Sequence, residues 1–262
     1  MTIVAVTGDC ATTTSLALAA TWPQDAGVDG DELVMVVEAD PDGGCLAGWL
    51  DAPATPSLAT IVAATGSDGR VLQTIATMVH HTVSGIDVVT CPPRALAAHR
   101  AVDEAGVDVL PALARADVLG VTDVGRHRPG GPAAALELAA TIVLVHRQRR
   151  DSPGAAAVRL ERLAESVEMF GSTSSVLVLA LIGDRPFDPG EIVSFVDGTA
   201  PGAVDGVVTI ADDPLSAAVL AGRRGTSKRR MQRLPLLRSA GRAAVTIRDL
   251  TYGHAELLPM SP

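Results

Sequence analysis

Lysine is nearly absent from this 262-residue chain, which holds Lys228 alone against twenty arginines. Chemistry that needs a lysine in the first 227 residues is therefore excluded. Aromatic residues are almost as scarce, with two Trp, one Tyr and three Phe. A stacking platform for single-stranded nucleic acid is accordingly disfavoured. The core must be built from Val, Leu, Ile and Ala, as in a parallel sheet buried on both faces. The three cysteines, Cys10, Cys45 and Cys91, are an odd set without a CxxC, which argues against a disulfide framework. Each falls at or just beyond the end of an apolar run. They are expected to be buried, inert thiols rather than a metal or redox site, because no histidine shares their spacing. His99, His127, His146 and His254 likewise show no metal-ligand spacing, and His80 and His81 are expected at the end of a helix. No G-x-S-x-G or H-E-x-x-H occurs, so hydrolase and zincin chemistry lack support. No apolar run reaches the ~20 residues that span a bilayer. The chain enters a strand directly, without a charged leader. The expectation is a cytoplasmic protein.

Hydrophobic residues make up 47% of the chain and charged residues 19%, which suits a sizeable core rather than disorder. The net charge of −9 is unevenly spread. Residues 1–222 hold 12 Arg against 28 acids, whereas residues 223–262 hold 9 basic residues against 2 acids. The basic run comprises Arg223, Arg224, Lys228, Arg229, Arg230, Arg233, Arg238, Arg242 and Arg248. Two readings stand: the segment lies against its own acidic domain, or it docks an anionic partner such as DNA, anionic lipid or an acidic protein.

Apolar β-branched runs alternate with Ala/Leu-rich stretches throughout, the signature of βαβ units and an α/β fold. Strands are predicted at Ile3–Thr7, Leu33–Glu38, Ile86–Cys91, Val118–Thr122, Thr141–His146, Val176–Ile182 and Val204–Ile210. Helices are predicted at Thr13–Trp22, Ser57–Ala64, Val71–Thr82, Arg94–Ala105, Pro132–Ala139, Ala155–Phe170, Pro189–Val196, Pro214–Ala221 and Leu236–Val245. Trp22 and Trp49 read as core or interface residues. No linker divides the chain, so residues 1–262 form one expected domain, with a basic segment 223–248 and a tail 249–262.

The first strand runs into Gly8-Asp9-Cys10-Ala11-Thr12-Thr13-Thr14-Ser15 and then a helix. Strand, short loop and helix N-terminus together make the geometry that cradles phosphate, with N–H groups and the helix dipole converging on one place. A working phosphate loop adds glycines, a lysine and a magnesium-binding hydroxyl. Here the hydroxyls remain and Gly8 is the one glycine, while Asp9 sets a carboxylate where phosphate would lie. A charged hydrogen bond contributes ~1.5–3 kcal/mol, so losing the lysine alone weakens phosphate binding by one to two orders of magnitude. On local chemistry the same residues also read as a Thr/Ser-capped structural turn.

The segments TTTSLALAATWP, VMVVEADPDGGCLAGWL and SLATIVAA resemble the MinD/ParA (CobQ/CobB/MinD/ParA) class of P-loop proteins. VLGVTDVGR resembles that class's switch II strand, TIVLVHRQ the strand after it, and IGDRPFDPGEI, IADDPLSAAVLAGRRG and LPLLRSAGRAA its C-terminal third. The similarity is closest to an actinobacterial branch with a degenerate Walker A motif, of the TadZ/CpaE type. It implies a three-layer fold with a mostly parallel twisted sheet flanked by helices. It also implies cofactor-binding roles for Gly8, Thr12, Thr13 and Thr14, and magnesium binding by Thr12 and Asp123. Asp40 matches the switch I aspartate that orients the attacking water. If nucleotide binds at all, the resemblance implies ATP with magnesium. Asp40 and Asp123 are then either relics with structural roles, or parts of a site in which Arg126 or Arg128 replaces the lysine.

The leading expectation is a pseudo-ATPase scaffold or positioning factor, forming a homodimer and serving a secretion, pilus or partitioning system. Two alternatives are a slow Mg-ATPase that switches between monomer and dimer, and a partitioning module that holds DNA through Arg223, Arg224, Lys228, Arg229, Arg230 and Arg233. A membrane-anchoring basic helix like that of MinD is not expected, since the chain ends YGHAELLPMSP.

Overall fold

A computed structural model describes residues 2–23, 33–65, 70–82, 84–116, 118–126, 134–149 and 152–257. Strand β1 (Ile3–Gly8) leads into helix α1 (Ala11–Thr21), followed by β2 (Leu33–Glu38) and the single-turn α2 (Leu46–Trp49). Next come α3 (Leu58–Thr65), α4 (Val71–Met78), β3 (His80–His81), β4 (Asp87–Val89), α5 (Ala95–Val107) and α6 (Val109–Arg115). The central part holds β5 (Val118–Gly125), α7 (Ala134–Glu137), β6 (Thr141–Arg147), α8 (Pro153–Gly171) and β7 (Val176–Ile182). The last part holds α9 (Pro189–Thr199), β8 (Gly206–Ile210), α10 (Pro214–Leu220), α11 (Lys228–Met231) and α12 (Pro235–Leu257).

The strands form one sheet in the order β3-β4-β2-β5-β1-β6-β7-β8, parallel except for the antiparallel β3–β4 pair. Alternation along β1 shows how the layers arise. Ile3 and Ala5 enter the core under α3, α5 and α8, whereas Val4 and Val6 enter the core under α1 and α12. β7 (VLVLALI) is buried at every position, as a central parallel strand requires. α12 buries Leu236, Leu237, Ala240, Ala243, Ala244 and Ile247, a helical stripe laid against α1 and β8.

The expected α/β fold with a mostly parallel sheet is the observed one. Several boundaries differ from expectation. The helix predicted over Val71–Thr82 stops at Met78, and His80 and His81 instead pair with Val88 and Asp87 as β3. The final helix, expected over Leu236–Val245, extends to Leu257 and takes in much of the predicted tail. α2, α6 and α11 were not expected; two are single turns, and α6 follows α5 after Asp108 alone. Residues 132 and 133, predicted helical, lie outside the described residues. Among the described residues, no helix is long and apolar enough to cross a membrane.

Candidate functional site

β1 lies between β5 and β6, so the chain's first turn opens onto the crevice beyond the strands' carboxyl ends. That crevice is where open α/β sheets place their ligands. β1 ends at Gly8 and α1 begins at Ala11, leaving Asp9 and Cys10 as the entire connection. Gly8 has φ +108°, and a Cβ there would collide with the Val145 carbonyl oxygen. The Asp9 N–H donates to that same oxygen at 2.9 Å, which pins the turn to β6. Cys10 completes the turn in the left-handed region, at φ 58° and ψ 27°, and provides no side-chain cap. The Thr/Ser-capped turn is therefore not formed. α1 starts two residues earlier than predicted, with Thr12 and Thr13 in its first turn and Thr14 and Ser15 buried behind them.

The turn brings the predicted acids together from three strands. Asp123 is fully buried on β5, where its Oδ1 accepts from Gly125 N–H at 3.0 Å. Among the described residues its Oδ2 has no hydrogen-bond partner, and neither do the buried hydroxyls of Thr14, Ser15 and Thr122. Burial pushes the Asp123 carboxyl up to about 7. The Thr12 hydroxyl and Gly125 N–H work against that rise, and the charges of Glu38 and Asp40 add to it. Asp40 accepts from Asp42 N–H at 2.9 Å, and its carboxylate lies against Gly125, where any Cβ would strike it. Gly125 adopts φ +63°, so glycine serves both the turn and this close approach.

Glu38, at the end of β2, escaped the sequence reading. Its carboxylate is 1% exposed and accepts three backbone N–H groups: Cys45 at 2.6 Å, Leu46 at 2.8 Å and Cys91 at 2.7 Å. It ties β2 to the start of α2 and to the segment leaving β4. Burial raises its pKa while the three donors pull it down. The available signal was an acid closing the apolar run VMVV, an expensive place for a charge without partners.

Asp9 does not stand in the crevice as a bare carboxylate. Arg126 donates to its Oδ1 at 2.6 Å, and the Arg147 N–H approaches Oδ2 at 3.4 Å. Arg126, one candidate for the missing lysine's role, is thus engaged by Asp9; Arg128 lies outside the described residues. Arg147 reaches the other way and grips Asp212 through Nε and Nη2 at 2.8–3.1 Å.

Of the three thiols expected to be buried, Cys91 is, Cys10 is half-buried and Cys45 is exposed. Cys45 Sγ lies 3.6 Å from the Thr12 hydroxyl. Burial raises all three pKa values, that of Cys45 to about 11. Among the described residues, no group of three or more His, Cys, Asp or Glu side chains is placed to hold a metal ion.

In the basic segment, Arg223, Arg224, Arg229, Arg230 and Arg233 are exposed. Arg223 sits over the Trp49 ring, 5.9 Å from its centroid. None of the five forms an ion pair with a carboxylate among the described residues. Lys228 opens α11.

Solved structures share this architecture. A ParA family ATPase from Chlorobium tepidum TLS superposes with a TM-score of 0.64 at 15% identity, covering 93% of this chain and 98% of its own. The fold is that of the ParA/MinD ATPases. The septum site-determining protein MinD of Pyrococcus horikoshii OT3, complexed with Mg-ADP, gives a TM-score of 0.64 at 12% identity, with 97% and 99% covered. MinD in the MinC:MinD cell division complex of Aquifex aeolicus gives 0.62 at 11% identity, with 100% and 99% covered. No protein-family model matches the chain, and no curated protein matches it in sequence. In this chain the first turn consists of two residues, Asp9 and Cys10, and contains no lysine.

Proposed function

We propose that this chain is a ParA/MinD-like pseudo-ATPase that acts as a scaffold or positioning factor for a larger cellular assembly. The observation that carries this reading is the two-residue connection of Asp9 and Cys10 between β1 and α1. A phosphate loop of the G-x-x-x-x-G-K-[ST] kind has about eight residues from its first Gly to its Ser/Thr, enough backbone to wrap a phosphate with N–H groups. The matching stretch here, Gly8-Asp9-Cys10-Ala11-Thr12, is shorter and too tight for that wrap. The first-turn N–H groups of α1 and the Thr12 and Asp123 oxygens remain, but without a lysine they are part of a cradle. Two further features support the reading: Asp9 gives the turn a negative charge, and Arg126 is held by that charge. Asp40 and Asp123 act here as acceptors for local turns, the roles expected of relics.

A scaffold acts through its contacts. The MinD of Aquifex aeolicus is found in complex with MinC, and by likeness we assign this chain a protein partner in a secretion, pilus or partitioning system. We assign it also a homodimer that forms without nucleotide. Titration of ATP and ADP, with and without Mg²⁺, and a phosphate-release assay test the proposal. Hydrolysis at background level and an affinity unmoved by Mg²⁺ are the expected results, with Asp40→Ala indistinguishable from the parent. Micromolar, Mg²⁺-dependent binding that Asp123→Asn abolishes would establish the rival, a slow Mg-ATPase with Asp40 aligning water.

A second reading rests on a separate observation, the exposed arginines of 223–233 that meet no carboxylate among the described residues. On this reading the segment holds a polyanion, DNA backbone foremost. Affinity for duplex DNA is expected to fall by roughly one log unit per phosphate contact for each decade of salt. Reversing charge at Arg229 and Arg230 should abolish retention. Retention that is equal in parent and variant would make the basic segment structural.

A further inference from the structure

Two helix ends line a cavity of about 520 Å³ at the β3 edge of the sheet. One is the end of α2, where Ala52 N–H donates to the Ala47 carbonyl at 2.8 Å and Asp51 takes φ 53°. The other is the end of α10, where Arg223 N–H donates to the Ala218 carbonyl at 2.9 Å and Gly222 takes φ 71°. Both are Schellman caps, so both walls have a fixed backbone. β3 makes the third wall, and the Ser84 hydroxyl ties the loop after it to the Leu220 carbonyl at 3.2 Å. Small-molecule pockets run to ~300–1,000 Å³, so this one also has room for one large side chain.

The cavity and its rim differ in chemistry. Trp22 is buried in the core, whereas Trp49 is half-buried and lines the cavity with Leu50 and Ala221. Asp51 is the single carboxylate in that lining, and the helix C-termini add partial negative charge, so the interior does not suit an anion. The rim is the reverse. Arg223 is exposed, lies over the Trp49 ring and meets no carboxylate among the described residues. Arg224, Arg229, Arg230 and Arg233 continue the exposed positive charge from there. They are presented from an anchored segment, because Met231 and Leu234 pack on the same core as Trp49 and Leu50.

We propose that the cavity and these arginines form a docking site for an acidic segment of a partner protein. One aromatic side chain of the segment enters against Trp49, and flanking carboxylates pair with Arg223 and Arg224. That the partner is a protein rests on the scaffold reading above. Arginine forms paired hydrogen bonds with carboxylates, and Trp and Arg are the residue types that carry most binding energy at interfaces. Charge complementarity favours a short segment over a duplex. DNA carries a charge every ~1.7 Å and runs past the patch, onto a domain where residues 1–222 set 28 acids against 12 arginines. A short acidic segment ends within the patch.

The test is fluorescence polarisation of the full chain with a labelled peptide EEFEE, beside EESEE and KKFKK. EEFEE is expected to bind roughly tenfold or more tightly than either control. Arg223→Ala should weaken it by about tenfold. Trp49→Leu, which keeps an apolar side chain, should bring EEFEE and EESEE to the same affinity. If that variant has a lowered unfolding midpoint, tryptophan emission of the parent reads the contact instead, shifting with EEFEE and not with EESEE. Equal affinity for EEFEE and EESEE overturns the proposal, as does silence of EEFEE to millimolar concentration. Duplex DNA that binds more tightly than EEFEE and is weakened by Arg223→Ala would also overturn it, giving the site to a polyanion. Silence of the peptide leaves the pseudo-ATPase reading standing. Micromolar Mg²⁺-dependent nucleotide binding would strike that reading and leave the docking site.

Discussion

Replacing Glu38 with alanine is expected to cost about 3–5 kcal/mol of folding stability, a large share of the ~5–15 kcal/mol typical of a domain. The size follows from what the side chain leaves behind. Three backbone N–H groups, of Cys45, Leu46 and Cys91, lose their acceptor in a place that water does not reach freely. Each buried unpaired donor costs roughly 1–3 kcal/mol. Glu38→Gln should fall between parent and alanine, since one oxygen still serves Cys45 and Leu46 while the amide group meets the Cys91 N–H as a second donor. Urea denaturation gives the totals, and amide hydrogen exchange gives the location, with faster exchange expected at Cys45, Leu46 and Cys91. A loss below about 1 kcal/mol would mean that solvent already reaches these groups.

The second large effect concerns Asp123 and has a direction fixed by linkage. The folded carboxyl titrates near 7, above its ordinary 3.8. Below pH ~4 both folded and unfolded chains hold the proton. As pH rises from ~4 to ~7, the unfolded chain releases it and the folded chain retains it, so this group makes the protein progressively less stable. Each unit of separation corresponds to about 1.4 kcal/mol, which gives an effect on the order of 4 kcal/mol in full. Asp123→Asn removes the titration. The variant should match the parent near pH 4 and exceed it in stability by a few kcal/mol above pH 7. Comparing the two cancels the other carboxylates, because only the difference in their pH slopes is read. A difference that does not change between pH 4 and pH 8 would show that Asp123 ionises normally in the fold.

The sequence showed the architecture clearly and the site in part, for physical reasons. Leu33–Glu38 and Val176–Ile182 are strands with the predicted bounds because both are unbroken apolar runs bounded by polar turns. α4 was overextended because nothing in VLQTIATMVHHT marks the point where helix gives way to a sheet edge. α2 and α11 were missed because four residues hold barely one helical period. Gly8, Thr12, Asp40 and Asp123 were proposed for the candidate site through spacing and resemblance, and the fold gathers them. Glu38 was missed because its three partners come from two other segments, a fact of assembly that no local pattern records. Asp9 was noticed for its charge, but its partner Arg126 lies 117 residues away.

The two residues of β3 bear on how the protein avoids unwanted company. An open sheet ends in rows of unsatisfied N–H and C=O groups, a template on which another chain can polymerise. Here one rim is closed by His80 and His81, running against the direction of the other strands, too short to seed a further strand. Their side chains are spoken for, His80 by the Pro56 carbonyl at 2.8 Å and His81 by Asp87 at 2.6 Å. The same short antiparallel finish that ends the predicted helix early leaves this rim of the sheet little free backbone on which another strand could pair.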